Sequence, residues 1–160
     1  MIPGYTNMSI DPLKLWEYLK ACEDHGVRYG FGSKCPEALI GKLPIKFKEI
    51  DCSGFVRTTL AYASGGSVRI VDGSYNQGEW LKAHGYKITD RENCALNDGH
   101  IRICVHHPDV LDETGHVWVC QNGRTLESAG GRGPCSRPWN VMLSRGHRLD
   151  QLATLTFAVL

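Results

Sequence analysis

After Gly85 the spacing of apolar residues changes from helical to alternating, and it does so once along the chain. Before that point Leu13, Leu15, Trp16, Leu19 and the Ala21-Cys22 pair recur at near-helical intervals. Asp11 opens that pattern, Pro12 sits where a first-turn proline is tolerated, and Gly26 closes it. The stretch from Val27 to Ile50 is rich in Gly, Pro and Lys, and predicts an irregular loop with at most a short strand. Cys52 to Ala63 predicts a second helix with Phe55, Val56, Thr59, Leu60 and Ala63 on one side, stopped by Ser64-Gly65-Gly66. A third, short helix is expected from Ser74 to Ala83, carrying Gln77, Trp80 and Leu81 and closed by Gly85. Beyond it, Ile101 to Val105 and His116 to Cys120 read as strands. Asn122-Gly123 is a two-residue hairpin signal, and Arg124 to Glu127 is the returning strand. Trp139 to Leu143 and Leu152 to Leu160 supply two more. Helices followed by an antiparallel meander define an α+β class.

At 160 residues the chain is expected to form a single domain over 1–160, large enough for a substantial core. Its 18 basic residues against 17 acidic ones leave a formal charge of +1, so no basic field argues for a nucleic-acid partner. Met1 to Ile10 has neither the basic nor the apolar region of a secretory signal. No apolar run reaches the roughly 18 residues of a membrane span. The expectation is a chain synthesised in the cytoplasm without a signal peptide and not inserted in a membrane. Seven cysteines, an odd number with no Cys-x-x-Cys pair, predict mostly reduced, buried thiols.

The residues with the most chemistry are Asp51-Cys52-Ser53-Gly54-Phe55-Val56, where a charged loop gives way to the second helix. A helix N-terminus offers unpaired N–H groups and the positive end of a dipole, and both favour thiolate over thiol. Asp51 precedes that helix and is expected to cap it. A thiol nucleophile needs a base, and the base needs an orienting group. His116, at the start of a strand in Gly115-His116-Val117, supplies the first. A turn at residues 122–123 pairs Gln121 with Arg124 and His116 with Ala129. Glu127 is then opposite Trp118, diagonal to His116 and on the same face. Gln121 and Asn122 are rival orienters.

On these motifs the chain resembles the NlpC-type family of papain-like cell-wall cysteine peptidases, over about Gly26 to Leu143. Asp51-Cys52-Ser53-Gly54-Phe55-Val56 matches the nucleophile motif, and Gly115-His116-Val117 matches the base motif. Val27-Arg28-Tyr29-Gly30-Phe31-Gly32 is similar to the segment upstream of the nucleophile, with its usual Gly-Gly pair spread out. Many members place a second histidine third, where this chain offers Glu127. A carboxylate there would accept the Nδ1–H of His116. The resemblance implies a papain-like fold, helices on a central antiparallel sheet with the catalytic cysteine at a helix N-terminus. It implies Cys52, His116 and Glu127 as catalytic residues, and Tyr29 and Ser53 beside the substrate. Tyr29 has a packed role as its equal alternative.

The implied activity is hydrolysis of an amide in or next to the peptidoglycan stem peptide, with no metal and no cofactor. The implied protein is a monomeric phage lysin or a delivered bacteriolytic effector, acting on the cell wall after release. An immunity protein would be a partner in the effector case. The alternatives are an inactive wall-binding or phage tail module, and a thiol amidase or acyltransferase on other substrates. The order of Cys52 before His116 disfavours the permuted lipid-acting relatives.

His100, His106 and His107 are expected as surface or loop residues rather than zinc ligands, since adjacent strand residues point to opposite faces. Gly130-Gly131-Arg132-Gly133-Pro134 lacks the ending of a phosphate loop and is expected as a mobile loop beside the site. Cys104 and Cys120, alternating with Ile and Val, are expected as small buried hydrophobes. Trp80, Trp118 and Trp139 are expected in the core or as groove walls, and Trp16 on the apolar side of the first helix.

Overall fold

Asp11 accepts a hydrogen bond from Leu13 N–H at 2.9 Å and caps the first helix, α1 (Pro12–Asp24), with proline in the first turn as expected. Leu15, Tyr18, Leu19 and Cys22 form its buried stripe. The computed structural model describes residues 10–44, 46–89, 91–106, 115–139 and 152–157. The loop after α1 contains two short strands, β1 (Arg28–Tyr29) and β2 (Glu49–Ile50), paired in parallel, with a single 3-10 turn (Glu37–Leu39) between them. This pair delivers the chain to α2 (Cys52–Ala63), the most buried element, in which ten of twelve residues are enclosed, so it forms the centre of the fold. The third helix, α3 (Ser74–Ala83), has the bounds its sequence predicts.

The remaining strands are β3 (Lys87–Thr89), β4 (Ile101–His106), β5 (His116–Gln121), β6 (Arg124–Ala129), β7 (Gly133–Cys135) and β8 (Leu152–Phe157). They lie in the order β3-β8-β4-β5-β6-β7, and each neighbouring pair is antiparallel. The result is an α+β protein, helices packed on an antiparallel sheet. The final strand expected to begin at Leu152 is β8, inserted between β3 and β4; residues 158–160 lie outside the described residues. Most of the strand expected over 139–143 also lies outside them; Trp139 itself forms no strand and donates its N–H to Gly123 O at 3.1 Å.

Alternation assigns the two faces of the sheet. Ile101, Ile103 and Val105 of β4, Val117 and Val119 of β5, and Leu126 of β6 join the core under α1 and α2, which includes Tyr18, Phe55 and Leu60. The opposite face carries Cys104, Trp118 and Cys120, which form a second cluster with Cys94 and the flanking Trp139. Both faces of β4 are therefore covered, and all six of its residues are buried.

The Asn122-Gly123 turn forms as its sequence predicts. Both residues have positive φ, 53° and 74°, the twist that matches flanking strands in a two-residue hairpin. The ladder holds from Gln121↔Arg124 to Val119↔Leu126. The expected His116–Ala129 pairing is not part of it; Glu127, Ser128 and Ala129 pair with β7 on the other edge of β6.

Of residues 130–134, expected as a loop, 130–132 are a turn and Gly133 and Pro134 belong to β7. They form a tight hairpin, Gly133 and Pro134 pairing with Ala129 and Ser128. Gly133 has φ of 78°, and a Cβ there would come within 2.8 Å of Val27 O, so β7 can pass β1 only because the position is glycine. That close passage holds the β6–β7 hairpin against the loop that leads to Cys52.

Candidate active site

Four elements converge on Cys52. It is the first residue of α2, and Asp51 caps that helix by accepting the Gly54 N–H at 2.8 Å. A side chain at residue 54 would crowd this cap, since a Cβ would lie 3.0 Å from Asp51 Oδ1 and 3.1 Å from Ile50 Cγ1. The backbone leading in is pinned twice: Asp51 N–H donates to Ser33 O at 2.8 Å, and Ser128 Oγ donates to Ile50 O at 2.8 Å. The second bond ties the loop before Cys52 to β6, the strand that carries Glu127.

His116 stands at the start of β5, stacked on Trp118 with ring centroids 5.3 Å apart. Its Nε2 lies 3.1 Å from Glu127 Oε1, and the Cys52 thiol is near enough to help raise the ring's pKa. The sequence expectation had Glu127 on Nδ1. In the structure the carboxylate meets Nε2 instead. Cys52, His116 and Glu127, the residues singled out in the sequence, lie together.

Glu127 is fully buried and saturated with donors. Arg137 reaches it with Nη2 at 2.5 Å from Oε1 and Nε at 3.3 Å from Oε2, a two-pronged grip on both oxygens. Thr125 Oγ1 also donates to Oε2, and itself accepts the Arg137 N–H at 3.0 Å. Arg137 and Thr125 are the residues that sequence reasoning missed. Thr125 is two positions from Glu127 on the same strand face, which a search around the carboxylate would have reached. Arg137 has no such signal, because it is placed by the β6–β7 hairpin read as a loop.

These contacts set the charges. Burial is the largest influence on Glu127 and pushes its pKa up, but His116, Arg137 and Thr125 outweigh it and hold the carboxyl at about 2 against an ordinary 4.5. For His116, burial pushes the pKa down. The hydrogen bonds and charges of Cys52 and Glu127 more than offset it, raising the ring to about 9 from 6.5. Stability from the depressed carboxyl is present above about pH 4.5 and is lost as pH falls toward 2. Stability from the raised histidine is complete below pH 6.5 and is lost as pH rises through 9. One His116–Glu127 contact underlies both effects, so the two are not summed. In Glu127→Gln the His116 pKa, followed by NMR of the ring protons, is expected to fall toward 6.5. An unshifted titration would show that the carboxylate does not hold the ring charged.

The other predicted residues are accounted for as follows. Tyr29, on β1 and half-buried, is close enough to Cys52 and Asp51 that their charges, after burial, help to push its phenol pKa up. Ser53 is buried, and its hydroxyl accepts from Lys34 Nζ at 2.7 Å and donates to Asp51 Oδ1 at 3.3 Å. Its side chain therefore belongs to a Lys34–Asp51–Ser53 network rather than to open space, with Lys34 Nζ 2.5 Å from Asp51 Oδ2. Gln121 is not an orienter: its Oε1 accepts from Trp16 Nε1 at 2.7 Å, on the helix side of the sheet. Asn122 occupies the turn at the opposite end of β5, about 20 Å along the strand from His116.

His100 is a half-exposed partner of Asp98, whereas His106, expected at the surface or in a loop, is buried on β4 opposite His116. His106 is enclosed because β4 is a central strand covered on both faces. His107 lies outside the described residues.

No helix among the described residues is long and apolar enough to cross a membrane. Compared with known proteins, the chain matches no family model and no curated sequence.

Proposed function

We propose that this chain is a cysteine peptidase or amidase of papain-like design, with Cys52 as nucleophile, His116 as base and Glu127 as the group that orients and charges the base. The observation that carries the reading is His116 bound to Glu127 at 3.1 Å through Nε2, within electrostatic reach of a cysteine at a helix N-terminus. Each group then has a step. An imidazolium beside Sγ and the positive end of α2 both favour negative charge on the sulfur. The sulfur attacks the amide carbonyl, and the Cys52 backbone N–H, in the helix's first turn, is placed to donate to the developing oxyanion. His116 passes its proton to the leaving amine and a thioester remains on Cys52. Water then attacks that thioester with His116 as base, releasing the acid and restoring the thiol.

Arg137 keeps Glu127 ionised whichever state His116 is in, so the orienting charge does not vary through the cycle. The substrate class comes from the resemblance to NlpC-type peptidases: an amide in or next to the stem peptide of peptidoglycan, cut by a phage lysin or a delivered effector without a cofactor. Tyr29 lies on the rim of the site as a substrate contact.

The test is digestion of purified peptidoglycan with mass spectrometry of the products. The expected result is one new amine and one new carboxylate per cut, at a single position of the stem peptide or its junction. A digest with no new termini, from folded protein across several wall types, would overturn the substrate class.

A further inference from the structure

Three thiols converge on the sheet face opposite the main core, beside and beyond Trp118. Cys104 on β4 and Cys120 on β5 are diagonal neighbours, since Cys104 pairs with Trp118 and Arg102 with Cys120. Cys94, in the 3-10 turn Arg91–Ala95, completes the group. The three Sγ atoms all lie within 4.8 Å of one another, and Cys94 Sγ is 3.4 Å from Cys104 Sγ. All three are buried, with Trp118 in the same cluster and Trp139 packed against it, and none is in a disulfide.

That spacing is close to the one a metal imposes. Metal–sulfur bonds of about 2.3 Å set sulfur atoms roughly 3.8–4.0 Å apart in tetrahedral or trigonal geometry. Small χ1 adjustments would bring the cluster there. A disulfide would use two of the sulfurs and leave the third behind.

Charge gives a second, independent indication. Three thiolates around a mono- or divalent ion carry excess negative charge, which is costly in a buried site unless a cation is near. Arg102 is that cation. It is buried beside the cluster, opposite Cys120 in register and within electrostatic reach of Cys94 and Cys104. Its two Nη atoms bind Asp98 at 2.9 and 2.6 Å, while its buried Nε–H has no acceptor among the described residues. A thiolate would provide one.

We propose that Cys94, Cys104 and Cys120 form a binding site for a soft d10 metal ion, Zn(II) or Cu(I), held by three thiolates. Binding breaks three S–H bonds and forms three metal–sulfur bonds, the protons passing to solvent with no change of oxidation state. Thiolate softness selects these ions over Mg(II) or Ca(II). The ion clamps the 92–95 segment to β4 and β5 and braces Trp118, on which His116 stacks. The site does not depend on the proposed activity.

The test uses the full chain in a Cys52→Ala background, so that the Cys52–His116 pair cannot bind metal and be mistaken for the cluster. Reduced, chelator-stripped protein is titrated with Zn(II) and, separately, with Cu(I), each against a competing chromophoric chelator. X-ray absorption then counts the sulfur neighbours of the bound ion. One equivalent of at least one ion is expected to bind, with three sulfur neighbours at about 2.3 Å. Cys104→Ser and Cys120→Ser are expected to weaken binding at least a hundredfold, whereas Cys135→Ser leaves it unchanged. Failure of both ions to bind stoichiometrically, or fewer than three sulfur neighbours, overturns the proposal. So does undiminished affinity in folded Cys104→Ser. If the serine variants do not fold, the sulfur count on the protein with its three thiols intact still decides.

Discussion

Cys52→Ala is expected to lower amide hydrolysis by about ten-thousandfold or more while leaving the fold in place. Loss of a nucleophile removes the covalent route entirely, and what remains is the weak help of the oxyanion donors and of substrate positioning. The fold survives because Cys52 contributes little that alanine cannot. It is the first residue of α2, alanine is the best helix former, and the Asp51–Gly54 cap and Ser128–Ile50 tether do not involve the thiol. A stability change of about 1 kcal/mol is expected from the lost sulfur. Rates on a peptidoglycan digest and a urea midpoint, taken on the same preparation, check both halves. Residual hydrolysis within tenfold of wild type in Cys52→Ala would remove the proposed mechanism.

Arg137→Met is expected to destabilise the protein by about 3–5 kcal/mol, the usual consequence of removing one partner of a buried ion pair. Glu127 is wholly enclosed, and without the guanidinium its carboxylate keeps, among the described residues, Thr125 and His116 as partners. Its carboxyl pKa then rises, because burial is the largest influence on it and one of the opposing donors is gone. The sign of the pH effect follows. Wild-type stability declines as pH falls from about 4.5 toward 2, whereas in Arg137→Met that decline is smaller and ends at higher pH, because the folded and unfolded pKa values lie closer together. The double variant Glu127→Gln/Arg137→Met is expected to regain part of the loss, since no buried charge is then left unpaired. Urea unfolding of the four proteins at pH 7 and pH 4 measures each term. A loss below about 1 kcal/mol in the single variant would mean that solvent, not Arg137, satisfies Glu127.

The helices and the central hairpin were legible because local chemistry decides them. Asp11-Pro12 and Asp51 are caps, Gly85 is a stop, and Asn122-Gly123 selects one turn; all four act within a few residues of themselves. Cys52 and His116 were legible for the same reason, each placed by its position at the end of an element. Glu127 followed from hairpin register alone. The ring atom that meets Glu127 did not, because a register fixes which side chains share a face and not how an imidazole turns about its own side-chain bonds.

Arg137 and the three-thiol cluster were hidden by a different cause. Arg137 is brought in by β7, a strand of three residues whose glycine and proline resemble loop composition. Cys94, Cys104 and Cys120 are separated by ten and sixteen residues, with no motif spacing, and only the β4–β5 register and the turn before β4 bring them together. The burial of His106 has the same origin. Strand order placed β8 beside β4, and no pattern within residues 101–107 carries that information.

The central claim is that Cys52, alone among seven cysteines, is held by His116 as a reactive thiol. Its most direct measurement is the rate of alkylation at each cysteine, by brief iodoacetamide treatment at pH 6 and peptide mapping. The account predicts that Cys52 is modified at least a hundredfold faster than any other cysteine, and that His116→Ala abolishes the difference. Modification of Cys52 no faster than the half-buried Cys135, or an undiminished rate in His116→Ala, would contradict it.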